Sequence, residues 1–441
     1  MRHTRLLAPV LLFALIAAAC SSSGDKGNNG TTGSSGNIGR VSVLNAMEPS
    51  ENQALQAVVD KDINANADYV ATLEANSDFE TQLKIRTEGG NPPDVAFVPQ
   101  PGTVIEQAKA GNAVALEDLG FTADQLEKTY GSYLMGLVEY NGKHYGIPTN
   151  VNLKSMIWYP KDDFDKAGYK VPTTWDELLA LSDQIQKDGG TPWCVGFESG
   201  GATGWPATDW MEDIMLDTAG VDTYDKWVTH AIPFNDPSVK HAAEVMGQIM
   251  FHPGWVLGGA DKTPSIAFGD APLPMFDNPP GCWLHRQANF INAFFPSDAV
   301  AGKDYDFFPF PSIDQQNTLI GGEYGVVFRN APEVQDFVTK FADVKVQCDQ
   351  GANVATSRIS PNAGVKSSCY ANPILGEAGD TVTKALQAGT ARFDASDAMP
   401  SAVGSGTFWT GMVKYMQGGP SSLDGVLADI EKSWPPDTSS S

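Results

Sequence analysis

Residues 41–47 (VSVLNAM) are apolar with few interruptions, the pattern of a short buried strand. From Glu51 to Asn64 the apolar residues Leu55, Val58, Val59 and Ile63 recur at helical spacing and predict an amphipathic helix. A polar stretch leads to Phe79–Glu88, a second predicted helix with Asp78 placed to cap it. NPPDVAFVPQPG at 91–102 reads as a Pro-bounded turn, a short strand Val95–Val98 and another turn. A helix over 103–110 and the segment Val114–Leu116 follow. Further on, Asn141–Gly142 marks a turn, and Leu153–Tyr159 reads as one extended apolar run before a helix. Thr174 and Glu177 then form a capping box, opening a helix with Leu178, Leu181 and Ile185 on one face. Short buried strands alternating with helices predict an α/β sheet, not a sandwich or a bundle. No repeat of fixed period is present.

The length, 441 residues, implies two or three lobes of ordinary size. The 29 Lys+Arg are outnumbered by 53 Asp+Glu, a net charge of −24. That balance opposes nucleic-acid binding, which needs a basic footprint, and adhesion to anionic lipid through a basic patch. Ten Trp, 12 Tyr and 21 Phe are too many for a disordered acidic chain.

The N-terminus reads as an address. Arg2 and Arg5 precede the apolar run Leu6–Ile16, which is shorter than a membrane span. Ala17, Ala18 and Ala19 then lead to Cys20, an arrangement that resembles the lipobox of bacterial lipoproteins: 1–19 would be removed and Cys20 lipidated. SSSGDKGNNGTTGSSGNIG cannot bury a core, so 20–39 is expected to be a lipidated, flexible tether. Residues 436–441 read as a disordered tail. Four cysteines remain, Cys194, Cys282, Cys348 and Cys369, and an even number in an exported chain predicts two disulfides. Three connectivities are open; Cys348 and Cys369 are near in sequence, which would leave Cys194 with Cys282.

Enzyme signatures are missing from the sequence: there is no GxSxG elbow, HExxH or GxxxxGK[ST] loop. Asn64, Asn66 and Asp68 mimic the start of a calcium loop, but Tyr69 and Ala75 stand where glycine and glutamate are required. With so many carboxylates, a tethered glycosidase stays open as an alternative, as does a surface adhesin.

GKHYGIP at 142–148 and YPKDDFDKAGYKVPTTWDEL at 159–178 resemble, nearly word for word, the crossover region of extracellular solute-binding proteins that serve carbohydrate ABC importers. NPPDV at 91–95, GWPATDW at 204–210, NPPGCWLHR at 278–286, IGGEYGVVF at 320–328 and TFWTGM at 407–412 also match, and the whole looks closest to the α-glucoside-binding branch. The resemblance implies an α/β, two-lobed periplasmic-binding-protein-like fold (type II), with sugar held between the lobes. Crossings are expected near Ile147–Val151 and Phe308–Asp314, with a return around Val354–Ser360. Lobe one would be 40–148 plus 314–355, and lobe two 149–313 plus 356–435. The implied function is a non-enzymatic monomer without cofactor or metal, lipid-anchored at the outer face of the cytoplasmic membrane. Its implied partners are a soluble α-glucoside or oligosaccharide and ABC permease subunits.

A sugar presents apolar C–H faces and a rim of hydroxyls, so its site needs flat aromatics and bidentate polar side chains. Trp205 and Asp209 are four apart and share a helix face. Trp283 and Arg286 follow Cys282 in a Pro/Gly turn, where a disulfide could hold the Trp283 ring for stacking; Trp409 occupies the position of a family stacking aromatic. Asn150 and Asn152 alternate along an extended segment and point to one side. Gly322 lets backbone approach a ligand beside Glu323. Glu51, Asp78, Gln100 and Arg358 lie at segment ends that the family turns towards the cleft.

Overall fold

The computed structural model describes residues 39–436. The signal segment, Cys20, the tether before Gly39 and the tail after Pro436 lie outside the described residues.

The strands Gly39–Asn45, Tyr69–Ala75 and Val95–Val98 run parallel, the first paired along its whole length with the second and at Val43–Leu44 with the third. The long strand Thr318–Val327 runs antiparallel to Val95–Val98 and to Ile147–Leu153, and Ala391–Phe393 closes the sheet beside its first residues. The helix expected over 51–64 runs Pro49–Asp62, Phe79–Glu88 forms with the bounds read, and the helix expected over 103–110 begins at Pro101, whose fixed φ suits a first helical turn. Tyr69–Ala75 is a strand inside the stretch read as polar. Its burial alternates residue by residue, as befits a sheet edge, and Val70 on its outer face is exposed. Asp78 precedes Phe79–Glu88 but its side chain makes no cap; instead its own N–H donates to Asn76 Oδ1 at 2.9 Å.

A second, three-stranded sheet has Met156–Tyr159 at its centre between His285–Arg286 and Asp306–Pro309. The single extended run expected over 153–159 is therefore two strands, broken at Lys154–Ser155. Helices Trp175–Lys187, Trp205–Ala219, Pro237–Met250, Trp409–Gly418 and Leu423–Glu431 pack around this sheet. The Thr174–Glu177 capping box is present: Glu177 N–H donates to Thr174 Oγ1 and Thr174 N–H to Glu177 Oε2, both at 3.3 Å. Both expected disulfides form, Cys194–Cys282 and Cys348–Cys369, with Cα atoms 5.4 Å and 5.1 Å apart.

Two hydrophobic cores result. One fills the larger sheet and continues beneath Trp158 to Phe295, Tyr305 and Phe307; the other gathers the helices of the smaller sheet. The chain passes between them at Leu153–Ile157 and again before Ile320. The expected return at 354–360 lies elsewhere: Ile359, Ile374, Val382 and Phe393 all pack in the first core, and membership changes only between Phe393 and Ala395. Residues 359–393, assigned by sequence to lobe two, thus pack with the larger sheet. The physical reason is that Ala391–Phe393 adds a strand to it, and Val151 bridges Ile359 at the seam.

Candidate functional site

The loops that leave the C-terminal ends of the three parallel strands open onto one cavity of about 420 Å³. In an open parallel sheet, strand ends expose backbone and loop side chains that the sheet itself does not cover, which is why ligands collect there. The first strand delivers Met47 and Glu51, the second Phe79 and Glu80, and the third Gln100. Across the cavity stand Trp205, Phe268, Phe290 and Phe294, with Trp409 at its edge. Asn150, Asn152 and Lys154, every second residue along the chain, line the seam together with Gly322 and Glu323. Both packed units therefore contribute to the lining.

The aromatic wall is braced by its own rings. Trp205, at the first position of Trp205–Ala219, meets Phe268 edge to face at 5.3 Å and Phe290 at 5.9 Å, and Lys154 Nζ lies 5.4 Å above its centroid. Trp409 is more enclosed; its Nε1–H donates to Ser396 Oγ at 3.2 Å. The polar side is held with equal definition. Asn150 Nδ2 donates to Asn152 Oδ1 at 3.1 Å, while Asn150 Oδ1 accepts the Ile359 N–H at 3.1 Å. Gln100 Nε2 donates to Glu80 Oε1 at 3.1 Å. A Cβ on Gly322 would stand 2.3 Å from Asn150 O, so only glycine lets the two seam strands meet here.

Arg358 lies buried behind Glu323 and Glu51, with Nη1 2.7 Å and 3.9 Å from their carboxylates. The approach to Glu323 is a charge contact without hydrogen-bond alignment, and all three guanidinium nitrogens lack an aligned acceptor among the described residues. Burial, then the charge of Glu323, pushes Glu51 up to about 8, although Arg358 acts in the other direction.

Under the aromatic wall lies a buried ion network. Lys154 pairs with Asp209 at 2.8 Å and with Asp394, and Arg286 pairs with Asp213 and stands 3.0 Å from Asp209 Oδ2. Asp209, Glu212 and Asp394 bring carboxylate oxygens within 4.8 Å of one another, and Lys154 is the cation that answers them. Burial alone would raise Asp394, but Lys154 overrides it and holds that carboxyl well below the usual range. His285, beside Arg286, is pushed down to about 4 by burial and is uncharged at neutral pH; its Nδ1–H donates to the Cys194 carbonyl, 2.9 Å away.

The family model for bacterial extracellular solute-binding proteins matches residues 48–347. The chain belongs to this family. Among its relatives, the alpha-glucosides-binding periplasmic protein AglE of Rhizobium meliloti is 41% identical over 372 residues, 82% of this chain and 79% of that protein. The osmoprotective compounds-binding protein GgtB of Synechocystis is 40% identical over 360 residues, 81% of this chain and 83% of that protein. Among solved structures, the bacterial solute receptor AcbH has a TM-score of 0.76 at 16% identity, covering 90% of this chain and 98% of its own. The raffinose complex of RafE has a TM-score of 0.70 at 18% identity, with the same coverage. These structural likenesses establish the two-lobed α/β fold.

In this solute-binding protein the cavity brings together Glu51, Gln100, Asn150, Asn152, Trp205, Gly322, Glu323 and Trp409 of the residues read from sequence. Arg358 stands just behind them. Asp78 is half-buried between two lining residues, Ser77 and Phe79, and does not itself line the cavity. Asp209 and Arg286 do not reach it either: both are buried in the ion network, 0% and 3% exposed. The four-residue spacing did place Trp205 and Asp209 on one face, where Lys154 joins them. Trp283 is the clearest correction. The Cys194–Cys282 bridge holds it against 190–192, its N–H shared by the Thr191 and Pro192 carbonyls and its ring edge-on to Tyr169 at 5.1 Å, away from the cavity. Sequence reading missed Lys154, Phe268, Phe290, Asp394 and Asp397. Lys154 continues the alternation of Asn150 and Asn152 and was legible on that ground; Phe268 sits in a turn and Phe290 in the short 3₁₀ helix Asn289–Phe294, neither long enough to carry a period.

Carboxyls that burial holds above their ordinary range, Glu51, Asp209 and Asp217 among them, shape the pH response of the free protein. Glu51 is pushed up to about 8, and burial pushes Asp217 to about 8 despite the Asn317 N–H it accepts at 2.7 Å. Both bind a proton more tightly folded than unfolded, where carboxyls titrate near about 4. Their contribution is therefore full below that value and is lost as pH rises through about 8. Asp394 works the opposite way, losing its contribution only as pH falls through its depressed range. The ligand-free melting temperature is expected to be higher at pH 5 than at pH 8; calorimetry showing a rise with pH would contradict this.

Proposed function

We propose that the protein captures an α-glucoside or related di- or oligosaccharide in this cavity and presents it, as a monomer, to the membrane permease of an ABC importer. The observation that carries the reading is one cavity joining an aromatic wall (Trp205, Phe268, Phe290) to carboxylates and amides (Glu51, Gln100, Asn150, Asn152, Glu323). The first suits a sugar's C–H face and the second its hydroxyl pairs. Arg358, with unsatisfied donors behind Glu323, has the chemistry to fix that side chain as a hydroxyl acceptor, while Glu51, pushed up to about 8, offers an O–H donor beside an acceptor oxygen. The names of AglE and GgtB, each about two-fifths identical, support small-solute capture, and AglE's supports the α-glucoside. A volume of about 420 Å³ lies towards the lower part of the roughly 300–1,000 Å³ typical of ligand sites, which favours a short sugar over a long chain.

The natural moving bodies are the segments built on the two sheets, 40–153 with 320–393 and 157–319 with 395–431. A ligand touching both favours the closed arrangement only through contacts that closure completes. A lipid on Cys20, joined to the body through the Gly/Ser-rich 21–38, would hold the protein at the outer face of the membrane.

The test is a thermal-shift panel of methyl α-glucoside, maltose, trehalose, sucrose and raffinose. A bound sugar at a hundredfold excess over its Kd stabilises the folded state by about 2.7 kcal/mol. A shift without release of free glucose is expected. No shift with any sugar would favour a surface adhesin, and glucose release would make the protein a hydrolase. Replacing Cys20→Ala should move the protein to the soluble fraction; continued membrane association would sink the anchor.

A further inference from the structure

Asp394, the N-cap of the short helix Ala395–Ala398, and Asp397 within it both face the cavity, but in different states. Asp394 is fully engaged: its Oδ1 accepts the Asp397 N–H at 3.0 Å and Ser396 Oγ–H at 2.8 Å, and Lys154 holds the other oxygen. Asp397 is only 8% exposed, yet its carboxyl has no hydrogen-bond partner among the described residues. A carboxyl that lines the cavity and takes no hydrogen bond from the chain has its bonding capacity open to a ligand there.

The charges around it sharpen the point. Asp394 faces it from its own helix cap, Asp209 from the helix Trp205–Ala219 and Glu80 from the helix Phe79–Glu88; Lys154, the cation that acts on it from the seam, is already divided between Asp209 and Asp394. Burial, then Asp394, pushes the Asp397 carboxyl well above its ordinary value. The shift favours the protonated form, which presents one O–H donor beside one acceptor oxygen. The backbone that carries it is held in place. A Cβ on Gly404 would lie 1.8 Å from Ser396 O, so the following turn presses directly on this helix, and Glu106 anchors that turn by accepting the Ser401 N–H at 2.8 Å. Such rigidity limits the freedom lost when a ligand binds.

We infer that Asp397 is a direct ligand-binding residue of the cleft, its carboxyl taking two neighbouring hydroxyls of the bound solute, one as donor and one as acceptor. This rests on the carbohydrate reading of the cavity.

The test is isothermal titration with maltose or trehalose, whichever the wild type binds more tightly, alongside the melting temperature of the ligand-free protein. Asp397→Ala removes both hydrogen bonds and should weaken binding by about tenfold or more. Asp397→Asn keeps a donor and an acceptor and should stay within about threefold of wild type, by the same reckoning. Neither variant should melt below wild type, because each removes an unpartnered carboxyl from among three others. Binding by Asp397→Ala equal to wild type would overturn the assignment while leaving the carbohydrate reading intact. Lowered melting temperature in both variants with affinity unchanged would make the residue structural and also overturn it. A wild type that binds neither sugar nor any other of the panel would bring down the carbohydrate reading and this inference together.

Discussion

Arg286→Leu should cost the free protein about 3–5 kcal/mol of stability, the usual consequence of removing one partner from a buried ion pair. The guanidinium is 3% exposed and serves two carboxylates of one helix: Nε donates to Asp213 Oδ2 at 3.0 Å, and Nη1 stands 3.0 Å from Asp209 Oδ2. Leucine would leave Asp213 with only the Ser155 hydroxyl and Asp209 with only Lys154. Neither carboxylate can turn to water, since Asp209 is 0% exposed and Asp213 is 3% exposed. The same helix begins at Trp205, so the damage should reach the aromatic wall and weaken sugar binding as well. Urea unfolding of Arg286→Leu, Asp213→Asn and the double variant would measure the coupling. A single-variant loss below about 1 kcal/mol, the range of exposed pairs, would mean that the network is hydrated and adds little.

The second large effect concerns the ligand. Trp205→Ala is expected to weaken binding of the best sugar by about 2–4 kcal/mol, roughly 30- to 1,000-fold, as for a central aromatic anchor. The ring is half-buried, lines the cavity, and is fixed by Phe268, Phe290 and the Lys154 ammonium, so little freedom remains to be lost on stacking. Trp283→Ala is the matched control. It removes a ring of the same size packed on Tyr169 outside the cavity, so it should lower the melting temperature and leave affinity unchanged. Calorimetric titration of both variants decides the matter. Equal affinity losses, or a loss in Trp283→Ala alone, would relocate the stacking surface.

These two tryptophans also show why a motif places a residue only approximately. Both stand in family-like strings beside Pro and Gly, and both were read as stacking rings. Trp205 begins a helix whose next turn is tied to the seam through Asp209 and Lys154, which turns its face to the cavity. Trp283 is fixed by its neighbour Cys282, and the disulfide that was expected to present it instead draws it against residues 190–192. Asp209 and Arg286 fail as cleft contacts for a related reason. Residue type suggests hydroxyl recognition equally well for a carboxylate in the lining and for one a turn deeper that answers another charge.

Local physics was enough for the elements. Helical spacing over 51–64 predicted a helix found at Pro49–Asp62, a second helix was read over Phe79–Glu88, the Pro-bounded apolar run predicted Val95–Val98, and the capping box at Thr174 formed as read, because each depends on residues within a few positions of one another. The family strings carried the two-lobed fold, and the alternation of Asn150 and Asn152 carried their shared face. What separated segments do to each other was decided by tertiary structure alone. The third passage between cores shifted to Phe393–Ala395 because a three-residue strand joins the larger sheet. Lys154 entered the site because Asp209 and Asp394, 55 and 240 positions away, converge on its ammonium. Asp397 was left unpartnered at the cavity because its neighbour Asp394 claims that same cation. Each outcome turns on Coulomb energy and hydrogen bonding between groups far apart in the chain, which no periodicity records.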